Sequence, residues 1–475
     1  MRRFNQKPNI LLITTDTQRC DSLACYGNPH AMSPNLDRLA AQGVRFDQCH
    51  TASPVCGPTR CSLLTGTYPH THGALENGMG RRDDLPLLPD LLAAVGYRNI
   101  MVGKTHFGKI PESFNVRHLL AGEKNQEVDD DYARFVRARN RSRASSESDP
   151  TPEELGSDTW VAQCAREAIG NAAAAAEPWF AWVSFLSPHS PYDPPQRWVD
   201  AIADRPLPPR RHADQGRTRL LPGLEELLNF SPDAQEPADF EKINSKRRKY
   251  YASCAMLDSL VGTMIDQLEA TGQRKNTLVI FTSDHGTTLH DHGFDNKHNY
   301  FDSAWRVPLI ISMPGFLPSG LTAGFAGWTD LTATILKVAG CDTAHVQGFD
   351  LSEPLRIDGV SPRRVAAASL FGTLALVADD WKLAYDLEHD TGWLIDRRQD
   401  PGEIHNLWDD PGSRPVRDKL LRDLLRWRAA SRDRAGDLAR LDPADGPVAM
   451  RVKQTLRKRR ADEPERFLGQ AAKSI

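Results

Sequence analysis

A chain of 475 residues is long enough for one large core with a smaller attached domain. Its formal net charge of -3 carries no basic excess, which argues against a nucleic-acid partner or an anionic membrane surface. No stretch approaches the ~18 to 20 continuous apolar residues that span a bilayer, so a soluble protein is expected.

The opening MRRFNQKPNILLITTD pairs basic residues with an apolar run. The run is interrupted and no small-residue cleavage site follows, so it reads as a first strand and not as a leader. A cytoplasmic location with reduced thiols is expected, since the eight cysteines show no disulfide-scaffold pattern. Residues 9–15 are a short apolar run ending at Asp16, the pattern of a buried parallel strand with a functional residue at its carboxyl end. Residues 34–43 and 85–96 read as helices and 99–103 as a strand, an alternation that predicts an α/β fold with a doubly wound, mostly parallel sheet. Residues 112–158 then turn polar, charged and Ser/Pro-rich, and read as an inserted excursion and not as core.

A helix at 158–177 and a strand at 179–186 lead into Ser187-Pro188-His189-Ser190-Pro191-Tyr192. After a second, proline-rich excursion at 194–237, a long helix at 241–272 precedes a strand at 276–283 that ends at Asp284-His285-Gly286. A strand at 307–313 and a helix at 329–339 complete a large domain over residues 1–360. From residue 361 the pattern changes: residues 365–386 read as two short strands around a turn, closed by a late helix at 414–441. This predicts a smaller C-terminal α+β domain over 361–475, with an antiparallel sheet and the basic tail Arg457-Lys458-Arg459-Arg460. Asp418, Asp423, Asp433 and Asp437 alternate there with Leu420, Leu421, Leu424 and Leu425, so an amphipathic helix and an oligomer arm are expected before nucleic-acid binding.

Cys56-Gly57-Pro58-Thr59-Arg60, taken alone, fits a helix start with a tolerated proline and a small buried cysteine. Its company changes that reading. In chain order come Asp16, C-x-P-x-R with Leu63-Leu64-Thr65-Gly66, Gly103-Lys104-Thr105-His106, the P-H-x-P-Y turn, D-H-G, Lys297 and a closing D-P-G-E-x-x-N-L at 400–407. The series resembles the type I, formylglycine-dependent sulfatases of the alkaline phosphatase superfamily, and the resemblance extends over almost the whole chain.

That resemblance implies an alkaline phosphatase-like fold and conversion of Cys56 to formylglycine by a formylglycine-generating enzyme, for which C-x-P-x-R is the recognition signal. A hydrated formylglycine has two hydroxyls on one carbon: one attacks sulfur, and the other loses its proton to expel sulfate. By resemblance Asp16, Asp284, His285 and the modified Cys56 hold one divalent metal, which polarises a sulfate oxygen. Oxygen ligands favour calcium, while the histidine leaves manganese as an alternative. Lys104, His189 and Lys297 would bind sulfate, with His189 or Lys297 protonating the leaving oxygen. Arg60 would stabilise the deprotonated hydroxyl, and His106 would act as base in hemiacetal collapse. Asn77, in the turn Glu76-Asn77-Gly78-Met79, is either a substrate contact or only a turn residue. His290, His292 and His298 read as a histidine-rich rim.

One departure stands out: many relatives have Asp-Asp at the first site, whereas Thr17 follows Asp16 here. The expected reaction is hydrolysis of a small-molecule sulfate monoester to an alcohol and inorganic sulfate, by an enzyme for which the terminal arm above suggests a homo-oligomer. The alternative is a phosphonate monoester or phosphodiester hydrolase using the same nucleophile. Those relatives also lack the second Asp, but they carry neutral hydroxyl residues in place of Lys104 and His106. A non-catalytic anion-binding protein is the alternative outside enzymes.

Overall fold

The computed structural model describes residues 7–121, 129–142, 151–175, 177–211, 220–228, 239–293 and 295–431. Eight strands form the large sheet: β1 Asn9–Thr15, β2 Val44–His50, β3 Arg98–Lys104, β4 Phe114–Leu120, β5 Trp179–Ser184, β6 Thr277–Ser283, β7 Leu309–Ser312 and β8 Leu321–Gly327. Their spatial order is β4-β3-β5-β1-β6-β7-β2-β8. Only β7 runs against its neighbours, so the sheet is mostly parallel as expected. A separate sheet of four antiparallel strands follows, β9 Val365–Leu370, β10 Thr373–Ala378, β11 Trp381–Asp386 and β12 Thr391–Asp396.

The central strands β1, β5 and β6 are buried along their whole length and mostly apolar because both faces of the sheet are covered. Along β1, Ile10 and Leu12 pack into one core while Leu11 and Ile13 pack into another on the opposite face. The helix Phe240–Ala270 contributes Leu257, Val261, Met264 and Leu268 to the second core, and Trp328–Ala339 contributes Leu331, Ile335 and Leu336 to the first. The small sheet likewise has two covered faces: one meets Val55, Tyr300 and Trp305, and the other meets Leu420 and Leu424 of the helix Arg414–Ala430.

Several expectations need correction. The excursion at 112–158 contains edge strand β4 and a helix, Asp131–Arg137. An edge strand tolerates polar residues on its open side, and β4 is only partly buried, which hid it in the sequence. The excursion at 194–237 holds two short helices, Gln196–Ala201 and Pro222–Leu228. Residues 365–386 form three strands, and β12 adds a fourth. The late helix ends at Ala430, and the basic tail and the expected oligomer arm lie outside the described residues. Among the described residues no helix is long and apolar enough to cross a membrane.

Strand register decides what meets at the carboxyl edge of the large sheet. Thr15 of β1 pairs with Ser283 of β6, so Asp16 and Asp284 leave adjacent strands side by side. Thr14 pairs with Ser184 of β5, and Ser184 pairs in turn with Gly103 of β3, which places Lys104 at the same edge.

Candidate active site

The helix Cys56–Thr65 brings the remaining component, with all ten of its residues buried. Val55 offers no side-chain cap, and the backbone amide of Gly57 donates instead to Oδ1 of Asn77 at 2.7 Å. Cys56 sits at the first position. Its Sγ lies 3.0 Å from Nε2 of His285, and Nζ of Lys297 donates to it at 2.9 Å. His189 completes that side, with Nε2 3.3 Å from the Lys297 ammonium.

Arg60 is one turn further along the helix and fully buried. Its Nε donates to Oδ2 of Asp284 at 2.9 Å, and its Nη1 donates to Oγ of Ser184 at 2.6 Å and to the Lys104 carbonyl at 3.1 Å. Lys104 Nζ donates to Oδ2 of Asp16 at 2.5 Å. Asp16, Cys56, Arg60, Lys104, His189, Asp284, His285 and Lys297, drawn from six separate stretches of chain, therefore share one pocket, in which all but the half-buried His189 and Lys297 are fully buried.

Ionisation follows from this crowding. Burial would raise the Asp16 carboxyl, but Lys104, His189, Lys297 and His285 outweigh it and hold that group well below the usual carboxylate range. Asp284 goes the other way, pushed up by burial and by Asp16 against the pull of His285 and Arg60. Burial and Asp16 also push the Cys56 thiol up, yet Lys297, His285 and Lys104 bring it well below its ordinary value. The pocket thus favours a negative atom at position 56.

The donor set suits a divalent cation. One ligand atom each from Asp16, Cys56, Asp284 and His285 lies within 4.8 Å of the others. Nδ1 of His285 is 2.7 Å from the Gly286 carbonyl, which takes its proton in a hydrogen bond and leaves Nε2 as the ligand atom. Thr17 adds a buried Oγ1 with no partner among the described residues. Thr17 also has φ 69, rare for a β-branched residue, and its amide donates to Oδ1 of Asp284 at 3.2 Å. Its backbone thus supports the Asp16/Asp284/His285 cluster.

His106 and Asn77 stand one step back. His106 has φ 51 and makes no hydrogen bond to Cys56, and its Nδ1 is buried without a partner among the described residues. Asn77 contacts the helix Cys56–Thr65, as above. His292 is no part of a rim: it is fully buried and stacked on Phe301 at 3.7 Å. His298 stacks on Phe371, and His290 lies 3.6 Å from Asp295. Ser184 was not anticipated, although it ends an apolar strand next to β1, and that position is itself the available signal.

The family model described as Sulfatase matches residues 8–341. The chain belongs to the sulfatase family. It is therefore an enzyme of the sulfuric ester hydrolase class. The choline-sulfatase of Rhizobium meliloti is 29% identical to this sulfatase, over 90% of the chain and 87% of the relative. The N-acetylglucosamine-6-O-sulfatase of Bacteroides thetaiotaomicron is 24% identical, over 85% and 83%. Among solved structures, the phosphonate monoester hydrolase of Agrobacterium radiobacter shares the fold with a TM-score of 0.75 at 24% identity, covering 90% of this chain and 96% of that one.

Proposed function

We propose that the protein hydrolyses a sulfate monoester to an alcohol and inorganic sulfate, using formylglycine made from Cys56. The observation that carries this reading is the confinement of residue 56, two lysines, an arginine and the Asp16/Asp284/His285 cluster to one pocket. In the structure the Cys56 thiol occupies the place that the attacking hydroxyl of the aldehyde hydrate would take.

In this reading Asp16, Asp284 and His285, with an oxygen of the modified residue 56, hold one divalent metal ion, calcium before manganese. Such an ion, when bound, polarises a sulfate oxygen and lowers the pKa of the hydrate. Arg60 provides a permanent positive charge beside the nucleophile. Lys104 and Lys297 bind sulfate oxygens, and their charge grows in value as the transition state concentrates negative charge. Either His189 or Lys297, 3.3 Å apart, protonates the leaving alcohol oxygen. His106 acts as base when the remaining hydroxyl loses its proton and sulfate departs. Maturation requires a formylglycine-generating enzyme.

A second reading, hydrolysis of phosphonate monoesters or phosphodiesters, is favoured by Thr17 in place of a second carboxylate. Lys104 weighs against it, since its ammonium lies in the pocket itself, 2.5 Å from Asp16, and suits the three exposed oxygens of a terminal sulfate. The test is co-expression with a formylglycine-generating enzyme, peptide mass spectrometry of residue 56, and rates on 4-nitrophenyl sulfate and phenyl phosphonate. Aldehyde at residue 56, loss of turnover in Cys56→Ala and higher kcat/KM on the sulfate are expected. An active enzyme with wholly unmodified Cys56 sinks the mechanism, and higher efficiency on the phosphonate reverses the substrate choice.

A further inference from the structure

The D-P-G-E-x-x-N-L phrase at 400–407 takes no part in the pocket, yet one of its two acidic residues, Glu403, is buried. Oδ2 of Asp400 accepts the amides of Ile404 and His405, both at 2.7 Å, which closes a tight turn around residue 403. Asn406 fastens the turn to β12 by accepting from the Leu394 amide at 3.0 Å. Glu403 has φ 60, a strained value for a glutamate. Its carboxylate meets the Lys382 ammonium of β11, and both residues are almost wholly buried, 3% and 1% exposed.

This pair grips a segment of the large-sheet region. Lys382 Nζ donates to the Tyr300 carbonyl at 2.9 Å and to Oδ1 of Asp302 at 2.5 Å, while the Asp302 amide donates to Oε2 of Glu403 at 2.7 Å. Arg397 of the same small-sheet region donates to Oδ2 of Asp302 at 2.9 Å. The Tyr300 hydroxyl donates to the Thr373 carbonyl at 3.1 Å. Residues 296–301 belong to no helix or strand, so no regular ladder fixes their path. Lys297 stands in that segment, with its Nζ 2.9 Å from Cys56 Sγ. The small sheet also holds the stretch before the nucleophile, since the Ser369 amide donates to the Ala52 carbonyl at 3.2 Å.

We propose that Glu403 and Lys382 are positioning residues for Lys297: their buried ion cluster fixes the 297–302 loop, and with it the placement of the Lys297 ammonium against residue 56. The consequence for catalysis rests on the reading that Lys297 belongs to the machinery of sulfate ester hydrolysis. A buried, hydrogen-bonded cluster is suited to this task because breaking one member leaves an uncompensated charge, so the arrangement has little freedom to drift. Small misplacements of a catalytic group are costly, about a hundredfold in rate for a shift near 1 Å.

A double-mutant cycle tests the link, with rates on 4-nitrophenyl sulfate normalised to formylglycine content. Glu403→Gln keeps the shape of the side chain and an acceptor for the Asp302 amide but removes the charge facing Lys382. It should lower kcat by about 10- to 100-fold. In a Lys297→Ala background the same change should lower kcat by less than about twofold, because an effect that acts through Lys297 disappears with it. Equal losses in both backgrounds overturn the proposal, as does an unchanged kcat in Glu403→Gln.

Hydrogen exchange of the same proteins separates this inference from the functional reading. Amides at 297–302 should exchange faster in Glu403→Gln while those of β6 stay unchanged, and unchanged exchange at 297–302 sinks the clasp even in an inactive protein. If wild type turns over neither the sulfate nor phenyl phosphonate, the functional reading fails and exchange alone decides. Lys382→Arg keeps the charge but not the compact ammonium that meets Tyr300, Asp302 and Glu403 at one point, so it carries the same two expectations should Glu403→Gln not fold.

Discussion

Lys104 reaches the pocket from a strand whose preceding residue has no side chain. Gly103 has φ 94, and a Cβ there would lie 2.0 Å from the carbonyl oxygen of Ser184 on the adjacent β5. Only glycine permits that approach, and Ser184 in turn accepts from Arg60. Gly103→Ala should therefore lose about 1 to 3 kcal/mol of stability from backbone strain alone, with the steric clash in addition. Urea unfolding measures it, and a loss under about half a kcal/mol would show that β3 and β5 can separate freely. At this scale the pocket was largely legible. Asp16, Lys104 and Asp284 each close an apolar run, and a polar residue at such a place advertises itself. Ser184 closes one too, but a serine is chemically too ordinary to stand out. The left-handed backbone of Thr17 and Glu403 had no local signal, because tertiary partners impose it.

The helix that opens at Cys56 is held from outside. An N-terminus without a capping side chain leaves amides unpaired, and Asn77, from a turn twenty-one residues after Cys56 in the sequence, accepts from Gly57. Asn77→Ala should cost about 1 kcal/mol, the usual value for loss of a cap, whereas Asn77→Asp keeps an acceptor and should stay close to wild type. Thermal unfolding of the three proteins checks this, and equal destabilisation by both substitutions would show that the contact to Gly57 is not what matters. The same distance effect limited the reading of whole elements. β1, β5 and β6 were visible as apolar runs because both of their faces are buried. β2 and β8 were not identified: β2 mixes Arg45, Asp47 and Gln48 with its apolar residues, and β8 carries Gly324 and Gly327 and is only partly buried. The D-P-G-E-x-x-N-L turn was visible as a motif, but its contact with the 297–302 loop depends on how the small sheet packs.

Acid probes the molecule as a whole, because a buried neutral histidine resists the proton that the unfolded chain accepts. His72 is fully buried under the helix Cys56–Thr65: the Ala74 amide donates to its Nδ1 at 3.1 Å, and its Nε2 lies 2.9 Å from Oγ of Ser62. With Nδ1 already an acceptor, a second ring proton has no place to go without breaking that bond. Burial, with His70 nearby, lowers the His72 pKa to about 3, against 6.5 for an ordinary histidine. Between those values the unfolded state binds more protons than the folded state, so stability is retained above 6.5 and declines as pH falls. The decline amounts to about 1.4 kcal/mol per pH unit for this one group. Carboxylates such as Asp16, held low in the fold, act with the same sign but only once pH nears the ordinary carboxylate range, so the two effects occupy separate windows. Urea unfolding at pH 7 and pH 5.5 should therefore show a loss of about 1.4 kcal/mol attributable to His72. In His72→Asn that contribution should vanish, leaving a shallower dependence on a less stable protein. An unchanged slope in the variant would mean that His72 takes up its proton in the folded state, and that the contact with Ala74 is not maintained in solution.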